Sequence, residues 1–198
     1  MAWIVDQSDP LSVEEHVSGG KGASLARLCR LGAKVPPFVV VSAQAYRDMG
    51  NGEPYDAFLA ELRDALMTLN TADGLAVRSS AIGEDAADSS FAGLYHTSLE
   101  VKGFDSVVAA LKTCWTSYRN VAAVQYRGER SADREDGAMA VVIQEMIEGD
   151  WSGVSFTANP VNLALSECLI NSVPGLGEAL VSGEVNPEEI AIRASDGK

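Results

Sequence analysis

The chain has 198 residues, which is enough for one domain or for two small lobes around a hydrophobic core. Its 46% hydrophobic and 22% charged residues are typical of a globular protein, and 15 Lys and Arg against 28 Asp and Glu give a formal net charge of −13. This negative charge argues against nucleic acid as a partner, because such binding depends on neutralising phosphates, but a nucleotide site needs only two or three local cations.

The three cysteines, Cys29, Cys114 and Cys168, are far apart and form no CxxC pair, so a zinc site and a disulfide framework are both disfavoured. Their helix-like and strand-like surroundings favour core packing, and we expect a reducing, cytoplasmic location. The N-terminus has neither a basic region nor a long apolar stretch. No run approaches the roughly 18–20 apolar residues that a bilayer span needs, so we expect no membrane partner.

The first elements are a short strand at 3–5 and a glycine loop at 17–22 that opens a helix at 23–31. The spacing of the larger apolar residues predicts that one face of this helix is buried, namely Leu25, Leu28, Cys29 and Leu31. Gly32 stands in a C-cap position and ends the helix.

A buried strand is predicted at Phe38–Val41, because two prolines before it force an extended chain. Ser42 is a candidate N-cap for a helix at Ala43–Met49. After a turn at 51–54, a second helix is predicted at 55–69. Its inward side chains are expected to be Phe58, Leu59, Leu62, Leu66 and Leu69.

A short apolar run, 75–77, leads to Arg78 and then to a loop rich in small and hydroxyl residues. The small residues of this loop are Ser79, Ser80, Gly83, Ser89, Ser90, Ala92, Gly93 and Thr97. Backbone N–H groups and hydroxyls can approach phosphate oxygens closely, and a guanidinium can hold them in a fork. The pattern fits a phosphate-binding loop, and an ordinary solvent loop after a strand remains the alternative.

The second half of the chain continues as a mixture of strands and helices, which predicts an α+β fold. The connection 128–137 is highly charged and is expected to be exposed. Strands are predicted at 97–101, 138–146 (continuing to Ile147), 151–157, 167–171 and 191–193, with a long helix at 104–126 and a turn at Asn159-Pro160. The inward residues of that helix are expected to be Val107, Val108, Leu111, Trp115 and Tyr118.

Two further segments carry candidate chemistry. The glycine segment 19–22 precedes a helix start, where free N–H groups and the charge of Lys21 attract anions. It is not a Walker A loop, since Glu15 and Gly22 stand where that pattern needs a glycine and a hydroxyl residue. A plain glycine turn remains the alternative. The strand 141–146 can offer its backbone to an adenine edge, or it is a core strand that emerges into solvent.

The two histidines, His16 and His96, are far apart in the sequence and form no recognisable nucleophilic arrangement. Five ordered segments nevertheless occur together: GGKG before a helix, VRSSA with EDAADSSFAGLYHT, VVIQEMI, SGVSFTANPV and GLGEALVSGEVNPEE. In this order they resemble the N-terminal nucleotide-binding domain of the phosphoenolpyruvate synthase and pyruvate phosphate dikinase family, which includes rifampin phosphotransferase. The resemblance runs from about residue 17 to residue 190.

The resemblance implies one ATP-grasp domain over 1–198, with a lobe boundary near 135–140 and two lobes that close on ATP and Mg²⁺. Family members transfer a phosphoryl group from ATP to a histidine on a swivelling domain. That histidine then phosphorylates pyruvate or, in antibiotic-modifying relatives, a drug hydroxyl. The implied partners are therefore ATP, the phosphohistidine domain or subunit, and the remainder of the ATP-binding domain.

The resemblance also implies roles for individual residues. Lys21 and Arg78 match the phosphate-binding lysine and arginine, and we expect them to converge on one triphosphate from opposite lobes. Gly93 and Thr97 match the loop that covers the nucleotide. Gln144 matches the glutamine that lies at the adenine. Its neighbours Glu145 and Met146 are included in the predicted adenine site.

Departures from the family pattern limit these expectations. The metal-binding carboxylate is expected beyond Lys198, and Glu178 is the one motif acid that we consider for Mg²⁺. The interval between Tyr46 and Arg78 is short, and His96 replaces a glutamine or glutamate. We therefore expect the ATP-binding part of a larger phosphotransferase, inactive by itself. A non-catalytic or regulatory nucleotide-binding subunit and an interaction protein without ATP remain alternatives.

Overall fold

The computed structural model describes residues 2–83, 96–128, 137–160 and 166–193, with only the backbone of 121–128. The chain divides into two compact units, Met1–Met146 (unit 1) and Ile147–Lys198 (unit 2). Unit 1 contains β1 (Ile4–Asp6), a 3₁₀ helix (Pro10–Val13), α1 (Glu15–Arg30), β2 (Phe38–Val41), α2 (Ala43–Met49), α3 (Asp56–Leu66), β3 (Leu75–Ala81), β4 (Thr97–Val101), α4 (Phe104–Gly128) and β5 (Met139–Glu145). Unit 2 contains β6 (Trp151–Phe156), β7 (Glu167–Pro174), α5 (Glu178–Val181) and β8 (Glu188–Arg193).

Both units are built on antiparallel sheets, which together with the helices confirms the predicted α+β class. In unit 1 the strand order is β1-β2-β5-β3-β4, so β5 is central. Val142 of β5 pairs with Val40 on one side and Arg78 on the other. Gln144 pairs with Phe38 and Ala76 in the same way. Because side chains alternate along a strand, Arg78, Val142 and Gln144 lie on one face of the sheet.

The two faces of this sheet pack against different helices. One face carries the larger core, built with α2, α3 and α4 around Phe58, Leu111 and Trp115. The opposite face packs on α1 through a smaller cluster that includes Val40 and Val142. Arg78 and Gln144 therefore lie on the same side of the sheet as α1.

The predicted buried face of α1 is wrong in part. Leu28 and Leu31 are 45% and 82% exposed, whereas Gly22, Ala23 and Ala26 are buried. These small residues let the helix approach the sheet so closely that a Cβ on Gly22 would lie 3.4 Å from Val142 Cγ2. The larger apolar residues consequently turn outward, except that two of the predicted set, Leu25 and Cys29, pack against the cluster.

The ends of the helices follow the expectations more closely. Gly32 has a φ of +79°, and the N–H groups of Gly32 and Ala33 donate to the carbonyls of Cys29 and Leu28, which is a Schellman cap. Ser42 occupies the N-cap position of α2, but the predicted capping bond is absent. Its hydroxyl instead donates to the Ala2 carbonyl at 2.9 Å, which ties the N-terminus to the start of α2.

Unit 2 is a three-stranded sheet in the order β6-β7-β8. Its central strand, β7, buries Leu169 and Val173. The predicted turn at Asn159 is tied to the start of β7, since Asn159 Nδ2 donates to Glu167 Oε2 at 3.1 Å. Among the helices of the described ranges, none is both long and apolar enough to cross a membrane.

Cys114 of α4 provides a test of core packing in unit 1. Its side chain is fully buried, and burial raises the pKa of the thiol to about 12 from an ordinary value of 9.0. Since the thiolate is the reactive form, we expect alkylation at pH 8 to be at least about tenfold slower at Cys114 than at the half-buried Cys29 and Cys168. Peptide mass spectrometry measures the three rates, with urea-unfolded chain as the control. Equal rates in the native chain would contradict the packing of α4.

Candidate functional site

The glycine segment of α1 is sharply bent at Gly19, where φ is +67° and ψ is 174°. This backbone conformation is essentially restricted to glycine. A Cβ at Gly19 would lie 2.0 Å from the carbonyl oxygen of Ser80, so the absence of a side chain lets the bend touch β3. The helix resumes after the bend with Lys21 in its first turn. The predicted glycine loop is thus a kink inside a longer helical segment.

Ser80 joins this bend to β3 through two buried hydrogen bonds. Its hydroxyl donates to the Ser18 carbonyl at 2.7 Å and accepts from the Gly22 N–H at 3.0 Å. The predicted loop position of Ser79 and Ser80 is wrong, because both are interior residues of β3 and fully buried. The Ser79 hydroxyl donates to the His96 carbonyl at 2.8 Å. Both serines therefore support the site through protein contacts.

Lys21 reaches the same part of β3. Its Nζ donates to the Ser79 carbonyl at 2.8 Å, next to Arg78 in the chain. The positive charge of Lys21 also extends to Cys114, where it opposes the rise in pKa that burial causes. Lys21 and Arg78 both lie in unit 1, so the expectation that they come from opposite lobes is wrong. The reason is that α1 packs on the very sheet that carries Arg78.

Arg78 and Gln144 are in direct contact. Arg78 Nη1 donates to Gln144 Oε1 at 3.2 Å, and Gln144 is not the sole partner of this arginine. Gln144 is 6% exposed, and its Nε2 donates to the Pro36 carbonyl at 3.0 Å. Both polar atoms of this buried amide are therefore satisfied within unit 1, as buried polar groups normally are.

Thr97 and Gly93 are the residues predicted to cover the nucleotide. Thr97 pairs with Arg78 across β3 and β4, so the two side chains share one face of the sheet. Gly93 lies outside the described residues. Lys21, Arg78, Thr97 and Gln144 are consequently gathered around one part of β3.

Glu145 and Met146 do not share the contacts that Gln144 makes with Arg78 and Pro36. Glu145 lies on the opposite face of β5, where its Oε1 accepts from the Asn70 N–H at 2.7 Å. The N–H groups of Glu145 and Met146 donate to the carbonyls of Pro37 and Gly74 at 3.0 and 3.3 Å. The nucleotide-binding roles of both residues stay predictions.

The supporting roles of three residues were missed by sequence reasoning, which placed Ser80 in a loop and gave Ser18 and Pro36 no part in the site. Ser18 and Ser80 hold the glycine bend, and Pro36 holds Gln144, through the contacts given above. The alternation of side chains along β3 could have identified Ser80, because it lies two residues after Arg78 and hence on the same face of the strand. The carbonyl contacts of Ser18 and Pro36 leave no such signal, since every residue type has a carbonyl.

A separate cavity of about 290 Å³ lies beside α4 and the residue before β4. It is lined by His96, Lys112, Thr113, Thr116, Ser117 and Asn120. The hydroxyls of Thr113, Thr116 and Ser117 donate to carbonyls of their own helix, and Lys112 forms an ion pair with Glu53. None of the candidate nucleotide-binding residues lines it, so we do not assign it to the nucleotide.

The described ranges contain no group of three or more His, Cys, Asp or Glu side chains that could hold a metal ion. Glu178, the acid considered for Mg²⁺, is an exposed residue at the start of α5 in unit 2. No chemical step through Mg²⁺ is derived from these residues.

Comparison with known proteins assigns the chain to a family. Residues 53–198 match the family model described as the pyruvate phosphate dikinase AMP/ATP-binding domain. This range includes Arg78, Thr97 and Gln144, whereas Lys21, the bend at Gly19 and Pro36 lie before it.

Three curated proteins illustrate the similarity. The chain is 36% identical to the prodigiosin synthesizing transferase PigC of Serratia marcescens, over 98% of this chain and 24% of that protein. It is 34% identical to the phosphoenolpyruvate synthase of Aeropyrum pernix, over 90% of this chain and 27% of that enzyme. It is 37% identical to the probable phosphoenolpyruvate synthase of Archaeoglobus fulgidus, over 86% of this chain and 28% of that protein. The chain thus spans about a quarter of the length of these relatives.

Proposed function

Because the chain belongs to the pyruvate phosphate dikinase AMP/ATP-binding domain family, we propose that it is the ATP-binding portion of a phosphoenolpyruvate-synthase-like phosphotransferase. Lys21 and Arg78 bind the phosphates of ATP in this proposal, and Thr97 and Gly93 contribute to covering the nucleotide. Glu145 and Met146 lie at the adenine end. The ATP-grasp arrangement of two lobes is part of the same proposal.

The observation that carries the proposal is the way in which the two cations are held at one strand. Lys21 Nζ is bonded to the carbonyl of Ser79, and Arg78 precedes Ser79 directly. The Ser79 carbonyl and the Gln144 amide are among the partners that hold these two cations in place. Phosphoryl transfer depends mainly on positioning and on stabilising negative charge, so fixed cations are what the reaction requires.

The further course of the reaction is proposed from the family. The phosphoryl group passes from ATP to a histidine on a separate domain or subunit, and from there to pyruvate or another hydroxyl or enol acceptor. Mg²⁺ would neutralise phosphate charge when bound, with ligands supplied by residues outside the described ranges. The proposed location is the cytoplasm, where ATP is available. By itself the chain is expected to bind ATP without turnover.

Calorimetric titration of the chain with ATP, with and without Mg²⁺, tests the proposal. We expect micromolar, Mg²⁺-dependent binding, with adenosine binding far more weakly because it lacks the phosphates. Binding that is indifferent to Mg²⁺ would instead favour a non-catalytic nucleotide sensor. No binding by a folded chain would overturn the proposal and favour an interaction protein.

A further inference from the structure

We propose that Gln144 is a positioning residue, whose side chain holds the Arg78 guanidinium in the orientation that the phosphates of the nucleotide require. This inference rests on the proposed ATP binding and deepens it. It gives Gln144 a different role from the adenine contact that the family resemblance implies.

The register of the sheet places Gln144 within reach of Arg78. Gln144 on β5 lies directly opposite Ala76 on β3, and Arg78 is two residues further along the same face. Such diagonal neighbours are within reach of long side chains. The methyl group of Ala76 leaves room for the glutamine to extend toward the arginine, and Arg78 Nη1 meets Gln144 Oε1 at 3.2 Å.

The Pro36 carbonyl sets the polarity of the amide. Gln144 Nε2 donates to this carbonyl at 3.0 Å, so the oxygen of the amide faces Arg78. In the reverse orientation, the amide NH₂ would face the N–H groups of the guanidinium. The amide oxygen would then face the Pro36 carbonyl, so that two acceptors would meet. Pro36 and Pro37 have fixed φ angles, which restrict the backbone that carries the carbonyl. Gln144 therefore links the restricted backbone at Pro36 to Arg78, with its NH₂ toward Pro36 and its oxygen toward Arg78.

Burial opposes an alternative use of the same amide. Gln144 is 6% exposed, and each of its polar atoms already has a protein partner. Turning the amide toward a purine would break both bonds and leave the Pro36 carbonyl and an Arg78 N–H to find new partners, which is costly in a buried setting. The geometry consequently favours an effect of Gln144 on phosphates through Arg78.

A double-mutant cycle tests the proposal. Gln144→Met keeps the length of the side chain and removes the acceptor, and it is made in the wild-type chain and in Arg78→Met. In the wild-type background we expect about tenfold weaker ATP binding and less than about twofold change for adenosine. With Arg78→Met already present, Gln144→Met should change ATP binding by less than about twofold. Equal losses for ATP and adenosine, or an unchanged effect in the Arg78→Met background, would overturn the assignment.

A second measurement does not depend on nucleotide. The side-chain ¹⁵N resonances of Arg78, identified by their loss in Arg78→Met, should shift in Gln144→Met. They should return part of the way in Gln144→Glu, whose carboxylate keeps an oxygen acceptor for the guanidinium although its other oxygen cannot donate to the Pro36 carbonyl. A merely structural role would not produce this selective rescue. Unchanged Arg78 resonances in folded Gln144→Met would contradict the proposal.

The two proposals fail in distinguishable ways. Absence of ATP binding by the wild-type chain would overturn the proposed function, and with it the phosphate role of Gln144. Normal ATP binding without coupling between Gln144 and Arg78 would overturn the inference about Gln144 alone. Thermal unfolding of each variant shows whether it is folded, and Gln144→Leu, which also lacks an acceptor, replaces Gln144→Met if that variant is not.

Discussion

Gly19→Ala is expected to lower the free energy of unfolding of unit 1 by about 2–6 kcal/mol. Two effects add up at this position. The backbone conformation, with φ +67° and ψ 174°, costs any residue with a Cβ roughly 1–3 kcal/mol. The new methyl carbon would also stand 2.0 Å from the Ser80 carbonyl oxygen, and relieving such a contact by moving the backbone costs typically about 1–3 kcal/mol more.

Gly32→Ala is the matched control for this change. Gly32 also has a positive φ, of +79°, but no heavy atom lies within 4 Å of the position that a Cβ would take there. We expect a loss of only about 1 kcal/mol, because α1 loses a favourable C-cap residue without a clash. Urea unfolding measures both variants. Equal destabilisation by the two substitutions would show that the contact of the bend with Ser80 is not important.

Arg78→Met is expected to weaken ATP binding by about 10- to 100-fold. A hydrogen bond to a charged group is worth about 1.5–3 kcal/mol, and every 1.4 kcal/mol is a factor of ten in affinity. The affinity for adenosine should fall by little, because adenosine has no phosphates for the guanidinium to bind. Fluorescence or calorimetric titration with ATP, AMP and adenosine measures the dependence on phosphate number.

The control for Arg78→Met is Arg47→Met, which removes the same charge from an exposed position on α2. It should leave all three affinities within about twofold, since surface substitutions away from a site have small effects. A similar loss for ATP and adenosine in Arg78→Met would remove Arg78 from the phosphate site. Unfolding curves of both variants show whether a loss of affinity is caused by destabilisation of the fold.

Strands with strong local signals were predicted closely. The apolar run 38–41 after two prolines and the segment 97–101 have the predicted bounds, because flanking prolines, loops and β-branched residues restrict the chain locally. The last strand, β8, begins at Glu188, three residues before the predicted start. Pairing with β7 decides where it begins, and pairing is not visible in the local sequence.

The buried face of α1 could not be obtained from the spacing of large apolar residues. Periodicity locates the hydrophobic side of a helix only if large residues make the contact. Here Gly22, Ala23 and Ala26 form it, because the helix lies close to the sheet, and Leu31 remains exposed. The depth of this contact depends on β2 and β5, and β5 is distant from α1 in the chain.

Residue chemistry alone identified Lys21 and Arg78 as candidate phosphate ligands, and apolar patterning alone identified most strands and the α+β class. Both depend on local properties: the charge of a side chain, the φ of proline and glycine, and the alternation of a strand. Tertiary structure alone decided that both cations belong to one unit, that Ser80 supports the glycine bend, and that Gln144 meets Arg78. These contacts join residues 58 to 66 positions apart, and their existence depends on the register of β3 against β5 and on the approach of α1 to the sheet.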